Sequence, residues 1–344
     1  MSVRSSLPSG KPKPSRAQAS RIRVLAIVGP TGVGKTAVAE EVAVWLGSEV
    51  VSADSMQIYR GMDIGTAKPP VSDRRAPYWC LDLVNPGTPY SAALYQQAAR
   101  EAIEDIAARS MVPILAGGTG LYVRAALDDL SFPAGDQTDN AVRRFYEEYA
   151  EEHGAPALYQ LLVDRDPDSA AVVHQNNTRR VIRALEMLDG GIPYAEQRAG
   201  FSARASVYDA VFVGLAMARE RLYQRIDARV DAMVGAGLLG EVEGLLEAGL
   251  RATLTASQAI GYKEFVPVVE GDVDLEDAVA AVKQATRRYA KRQLTWFRAD
   301  PRVLWIGVDD DSVPRAASAA LAALDCSSAR PERHNGTTTP VGRE

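Results

Sequence analysis

The chain has 344 residues, 47% hydrophobic and 24% charged, with a formal net charge of −5. That composition supports a buried core, and the length suits a core with an insertion or a second domain. No stretch approaches the about 20 apolar residues of a membrane helix, two cysteines exclude a disulfide scaffold, and no Cys/His spacing suits zinc.

Residues 1–20 carry Lys, Arg, Ser and Pro without an apolar run, so they read as a disordered arm and not as a secretory signal. The expected location is the cytoplasm. RVLAIVG at 23–29 is a continuous apolar run, the pattern of a parallel strand buried on both faces. A helix is expected over Lys35–Leu46, then a strand at 48–53. YWCLDLV at 78–84 is a third strand candidate. Ser91 caps a helix running to about Arg109, and MVPILAGG at 111–118 is another buried strand. Strands alternating with helices predict an α/β fold, a P-loop NTPase-like doubly wound parallel sheet.

From about 131 to 205 the pattern changes to charged amphipathic helices broken by Pro133, Pro156, Pro167 and Pro193, which predicts a helical insertion domain. YDAVFVGLAM at 208–217 returns the chain to the sheet. Long helices follow over 219–247 and 275–298, and VLWIGV at 303–308 is a last strand. The catalytic core is therefore expected over 21–130 and 206–325, the insertion over 131–205, and a polar tail over 326–344.

Gly29, Pro30, Thr31, Gly32, Val33, Gly34, Lys35 and Thr36 match G-x-x-x-x-G-K-[ST], after an apolar strand and at the start of a helix. Glycines let successive N–H groups turn toward phosphate oxygens, and the helix start adds a favourable dipole. Lys35 supplies a point charge and the Thr36 hydroxyl suits Mg²⁺. The loop alone does not choose the diphosphate. ATP is the usual occupant, so a small-molecule kinase is the first expectation. No apolar strand ends in a clear Walker-B acid, with Asp82 the nearest candidate.

Asp54 ends the second strand, where open α/β sheets bind ligands. A turn Asp satisfying local N–H groups is the bland alternative. Thr119 follows a buried strand among Gly117, Gly118 and Gly120. Three helices then carry arginines at helical spacing: Arg221, Arg225 and Arg229; Arg179, Arg180 and Arg183; and Arg287, Lys291 and Arg292 within a segment of six basic residues and no acid. Tyr289 and Trp296 on the last helix are expected to pack inward. At physiological salt the Debye length is about 8 Å, so a polyanion feels this local patch more than the negative total. RNA is a plausible ligand on that ground.

GPTGVGKT, SADSMQIYRGMDIGTAKP, AGGTGLY, NTRRVIRALE, AIGYKE and RRYAKRQLTWFR together resemble the bacterial tRNA dimethylallyltransferases, in unbroken order over about 23–298. The resemblance implies transfer of a dimethylallyl group from dimethylallyl diphosphate to N6 of adenosine 37, in tRNAs that read codons beginning with U. It implies that the P-loop holds an isoprenoid diphosphate, with Mg²⁺ as cofactor and the tRNA anticodon stem-loop as partner. It makes Asp54 the general base and places Thr119 and Arg225 near the departing diphosphate. The stretches Asp54, Ser55, Met56, Gln57 and Arg179, Arg180, Val181, Ile182, Arg183 would contact tRNA. A monomer without a membrane is expected. Tyr78, Trp79 and Asn85 replace two histidines and an Asp usual in the family, so no role passes to those positions. The competing readings are an adenylate isopentenyltransferase, an ATP-dependent small-molecule kinase, and a non-catalytic RNA-binding protein with a relict P-loop.

Overall fold

The computed structural model describes residues 22–132, 141–252, 254–310 and 312–328. Six parallel strands form one sheet in the order β3-β2-β4-β1-β5-β6. They are β1 (Arg23–Val28), β2 (Val50–Ser52), β3 (Tyr78–Trp79), β4 (Ile114–Gly117), β5 (Asp209–Ala216) and β6 (Val303–Gly307). β1 explains its own apolar run: Val24, Ala26 and Val28 join one core cluster, and Leu25 and Ile27 the other. Both faces are therefore covered, as a doubly wound parallel sheet requires. One layer contains α2 (Ala92–Ala108) and α3 (Gly120–Leu127), the other α1 (Lys35–Leu46).

Five helices follow α3: α4 (Ala141–His153), α5 (Ala155–Arg165), α6 (Pro167–Val172), α7 (Thr178–Asp189) and α8 (Tyr194–Ser202). They pack around their own core of Tyr146, Leu158, Leu162, Val181 and Leu185. The Asn177 side chain caps α7 through Arg180 N–H, and Ser91 caps α2 through Leu94 N–H, as the sequence predicts for Ser91. Where this unit leaves and rejoins the sheet, Asp128 bridges to Ser206. The fully buried Asp128 carboxylate accepts from Arg124 at 2.7 Å and from Arg302 at 2.6 Å. Asp300 pairs with Arg302 and Arg204, each at 2.7 Å. Buried carboxylates need such partners to offset desolvation.

After β5 come α9 (Arg219–Gly235), α10 (Leu238–Glu247), α11 (Leu254–Ser257), α12 (Tyr262–Val269), α13 (Leu275–Arg298) and, beyond β6, α14 (Val313–Ser328). No described helix is long and apolar enough to cross a membrane.

Several boundaries differ from the sequence expectations. The strand expected over 78–84 stops after Trp79, because Cys80 and Asp82 have φ of 62° and 54°. Backbone in the left-handed region cannot continue an extended ladder. The helix expected over 219–247 is two helices, broken where Gly237 takes φ 98°. The expected tail begins inside α14, which carries an exposed Cys326. The arm at 1–20 and residues 329–344 lie outside the described residues.

Candidate active site

The P-loop turns from β1 into α1 through Gly32 and Gly34, at φ 82° and 101°. Lys35 lies against its own loop, donating to the Pro30 carbonyl at 2.7 Å. Burial lowers its pKa to about 8, with the Asp54 carboxylate opposing and Arg229 adding to the shift. A polyanion would meet a cation here that water no longer solvates well.

Two cavities meet beside this loop. The larger, of about 890 Å³, is lined by Gly32, Gly34, Lys35, Thr36, Arg225 and Arg229, with Gln57 and Lys68 further along. The smaller, of about 460 Å³, is lined by Met56, Tyr262, Arg288, Tyr289 and Arg292, with the apolar Ile226, Val230 and Val282. Thr31, Asp54, Thr66, Arg229 and Met233 line both. Asp54 thus stands at the junction between a cationic chamber and a mixed aromatic and basic one.

Asp54 is held by a local turn: its Oδ1 accepts Met56 N–H at 2.9 Å. Among the described residues its Oδ2 accepts no hydrogen bond. Thr119 supports the same turn from the start of α3, since its hydroxyl accepts Ser55 N–H at 3.1 Å. Burial with the nearby Asp54 charge pushes the Tyr289 hydroxyl up to about 12. Thr119 lines neither cavity, so its hydroxyl positions Ser55 in this structure. Ser52 Oγ donates to Gln57 Oε1 at 2.9 Å, and Gln57 Nε2 donates to the Thr66 carbonyl at 3.3 Å.

Arg225 reaches the P-loop: a Cβ added to Gly34 would lie 4.0 Å from its Nη2. Arg229, one turn along α9, lies between the chambers and donates to the Thr66 carbonyl at 3.4 Å. Burial lowers its pKa, with Asp54 opposing and Arg225 adding. Sequence reasoning gave Arg229 no site role, although its four-residue spacing from Arg225 was the available signal. Gln293 was also missed. Its side chain, 5% exposed, accepts Thr31 N–H at 2.8 Å and donates to the Gly118 carbonyl at 2.9 Å. It ties α13 to the P-loop and to the turn after β4. Gly118 permits this, since a Cβ there would stand 2.2 Å from Gln293 Nε2.

The basic helices divide. Arg179 and Arg180 are exposed on the first turn of α7, whereas Arg183 pairs with Glu186 at 3.2 Å. Val181 and Ile182 are 1% and 5% exposed inside the helical unit. These two side chains form the face that packs α7. On α13, Lys291 and Arg292 are exposed. Arg287 instead pairs with Asp227 at 2.6 Å, and Lys283 with Asp231 at 2.6 Å. The acids that seemed missing from α13 come from α9. Trp296 is 45% exposed and does not pack inward as expected.

Asp82 borders the larger chamber as one half of an ion pair with Lys68. It lies beyond edge strand β3, and Lys68, inserted between Asp82 and Asp63 at 2.6 Å from each, neutralises it. At the three atypical positions, Tyr78 donates to Glu40 at 3.1 Å, Trp79 to Glu49 at 2.6 Å, and Asn85 accepts from Arg60 at 3.3 Å. Cys80 is buried, with its thiol pushed up to about 12 by desolvation, so it is an inert hydrophobe here.

Mg²⁺ usually keeps several waters and binds through one or two protein oxygens together with substrate phosphates. Thr36, exposed beside Lys35 and lining the larger chamber, fits that sparse demand.

This arrangement has known relatives. The family model for IPP transferase matches residues 57–300, and that for isopentenyl transferase matches 22–76. A tRNA dimethylallyltransferase of Geobacillus kaustophilus is 49% identical over 290 residues, covering 84% of this chain and 91% of that protein. One from Desulforudis audaxviator is 46% identical over 300 residues, covering 86% and 95%. The solved tRNA isopentenylpyrophosphate transferase of Bacillus halodurans aligns at TM-score 0.65 and 40% identity, over 90% of this chain and 98% of that one. A eukaryotic dimethylallyltransferase acting on tRNA aligns at TM-score 0.75 and 30% identity, over 91% and 81%. The chain belongs to the tRNA dimethylallyltransferase family.

Proposed function

We propose that this protein transfers a dimethylallyl group from dimethylallyl diphosphate to N6 of adenosine 37, in tRNAs that read codons beginning with U. The observation that carries the proposal is the position of Asp54 where the two chambers meet. The larger chamber collects Lys35, Arg225 and Arg229, which suit a diphosphate. The smaller one offers Tyr289, Tyr262 and Arg292, which suit an unstacked adenine and its flanking phosphates.

An exocyclic adenine amine is a weak nucleophile, so departure of the diphosphate carries the barrier. The allylic C–O bond breaks and its electron pair leaves with the diphosphate. N6 forms the new C–N bond to that carbon, and the N6 proton passes to the Asp54 carboxylate. Lys35, Arg225 and Arg229 stabilise the charge that develops on the leaving oxygens. Thr36 would hold Mg²⁺, whose chemistry is to neutralise diphosphate charge. In this proposal the enzyme is a cytoplasmic monomer that grips the anticodon stem-loop with α7 and α13. An adenylate-specific enzyme would have no use for the helical unit or for the exposed Arg179, Arg180, Lys291 and Arg292. Incubating the protein with dimethylallyl diphosphate and unmodified tRNA, with dimethylallyl diphosphate and adenosine monophosphate, and with ATP plus metabolites separates the three enzymatic readings.

Two predictions follow from the charges. Lys35 is charged below pH about 8 and neutral above it. A bound diphosphate favours the charged form, so donor affinity is full below that value. It should then weaken as pH rises past 8, by up to about tenfold per unit. Donor titrations between pH 7 and 10 check this, and a flat profile contradicts it. The second concerns salt. Log affinity for tRNA should fall with log salt, with a slope of about −0.7 per single-strand phosphate contact. Arg180→Ala or Arg292→Ala should flatten that slope by up to about one unit. Arg287→Ala should leave it unchanged, because Asp227 already holds that guanidinium.

A further inference from the structure

We propose that Glu241 is a positioning residue for prenyl transfer, setting the backbone wall shared by the two chambers. This rests on the donor and acceptor assignment above. Glu241 comes from α10, outside the P-loop and outside every motif that carries the family resemblance. Its Oε2 accepts the N–H groups of Asp63 at 3.1 Å and Ile64 at 2.7 Å. Its Oε1 accepts Gly65 N–H at 3.1 Å and the Tyr262 hydroxyl at 2.6 Å. Three successive backbone donors converging on one carboxylate form an anion-binding concavity, and here the anion is the protein's own.

Tyr262 completes the clamp from below. It is fully buried, and the segment lies directly on its ring: a Cβ on Gly65 would stand 2.6 Å from two ring carbons. At the other end of the loop Lys68 donates to the Tyr59 carbonyl at 2.8 Å. The segment is therefore fixed at both ends, with Thr66 between them.

That placement matters because Thr66 lines both chambers, and its carbonyl receives both Gln57 and Arg229. Arg229 belongs to the cationic chamber and Gln57 borders Asp54. A shift of residues 63–65 would move the Thr66 carbonyl and so displace both groups. Glu241 itself lines neither chamber, so it acts through this wall and touches no reacting atom. Misplacements of about 1 Å can cost a hundredfold in rate, and the carboxylate opposes such movement with four hydrogen bonds.

The test uses Glu241→Gln, which keeps the shape but turns an N–H donor toward backbone donors, and Tyr262→Phe, which keeps the ring and removes one bond. Amide hydrogen exchange at Asp63, Ile64 and Gly65 reads the clamp without any substrate. Single-turnover transfer with saturating tRNA and donor reads its consequence, and the melting temperature reads general stability. In Glu241→Gln, exchange at these amides should accelerate at least about tenfold, and transfer should slow by about ten- to a hundredfold. Donor affinity should fall by less than the transfer rate, because Arg229 shifts while Lys35 and Arg225 are untouched, and the melting temperature should fall only modestly. Tyr262→Phe should move both rates in the same direction by less. Faster exchange with transfer within twofold of wild type would overturn the proposal and leave a purely structural brace. Unchanged exchange would overturn it as well. If Glu241→Gln does not fold, Glu241→Asp, which keeps the charge but shortens the reach to the three amides, decides by the same criteria. A wild-type protein without prenyl transfer would overturn the functional assignment, a different failure from an active wild type beside an equally active variant.

Discussion

Asp54→Asn should slow prenyl transfer by at least about a hundredfold, since removing a general base typically costs 10²–10⁴ in rate. The substitution preserves the acceptor for Met56 N–H that shapes the turn, so the variant should fold and melt like wild type. It cannot take the N6 proton. Lys35 and Arg225 are untouched in the larger chamber, so dimethylallyl diphosphate should still bind. The loss should appear in kcat more than in donor affinity, as for an interaction used in the transition state. Because Asp54 also lines the smaller chamber, tRNA affinity should fall too. Single-turnover rates at saturating tRNA separate the two effects. A variant within a few-fold of wild type under those conditions would reduce Asp54 to a turn residue.

Lys35→Ala should be comparably severe but distributed differently. Removing one preorganised donor from developing charge typically costs about 10²–10³ in rate, and this donor also meets the ground-state diphosphate. Both donor affinity and the transfer step should therefore fall. The variant should also lose the weakening of donor affinity above pH 8, because the titrating group is gone. A donor titration with single-turnover kinetics checks both expectations. Unchanged donor affinity would mean that the P-loop cradles something else.

The phosphate loop was legible because its motif sits between a doubly buried strand and a helix, and the alternation of β1 between two core clusters is the physical cause of that signal. The strand ending at 79 was not legible. YWCLDLV has strand-like residues, but Asp82 turns into the left-handed region to meet Lys68, a partner fixed by tertiary packing. The basic face of α13 was half legible. Spacing showed that its cations share faces, yet only the packed structure reveals Asp227 and Asp231 across from Arg287 and Lys283. Gln293 illustrates the same limit. It bonds a P-loop amide 262 positions away, which no local pattern can announce. Val181 and Ile182 show the converse: a string that resembles an RNA-contact stretch also contains the residues that pack its helix.

The most direct test of the central claim is to incubate the protein with unmodified tRNA, dimethylallyl diphosphate and Mg²⁺, omitting ATP, then digest the RNA and analyse its nucleosides by mass. The expected result is conversion of one adenosine per tRNA to N6-isopentenyladenosine, located at position 37, with diphosphate released in equal amount. Unmodified tRNA, or a prenylated free adenylate in parallel reactions with RNA left untouched, would contradict it.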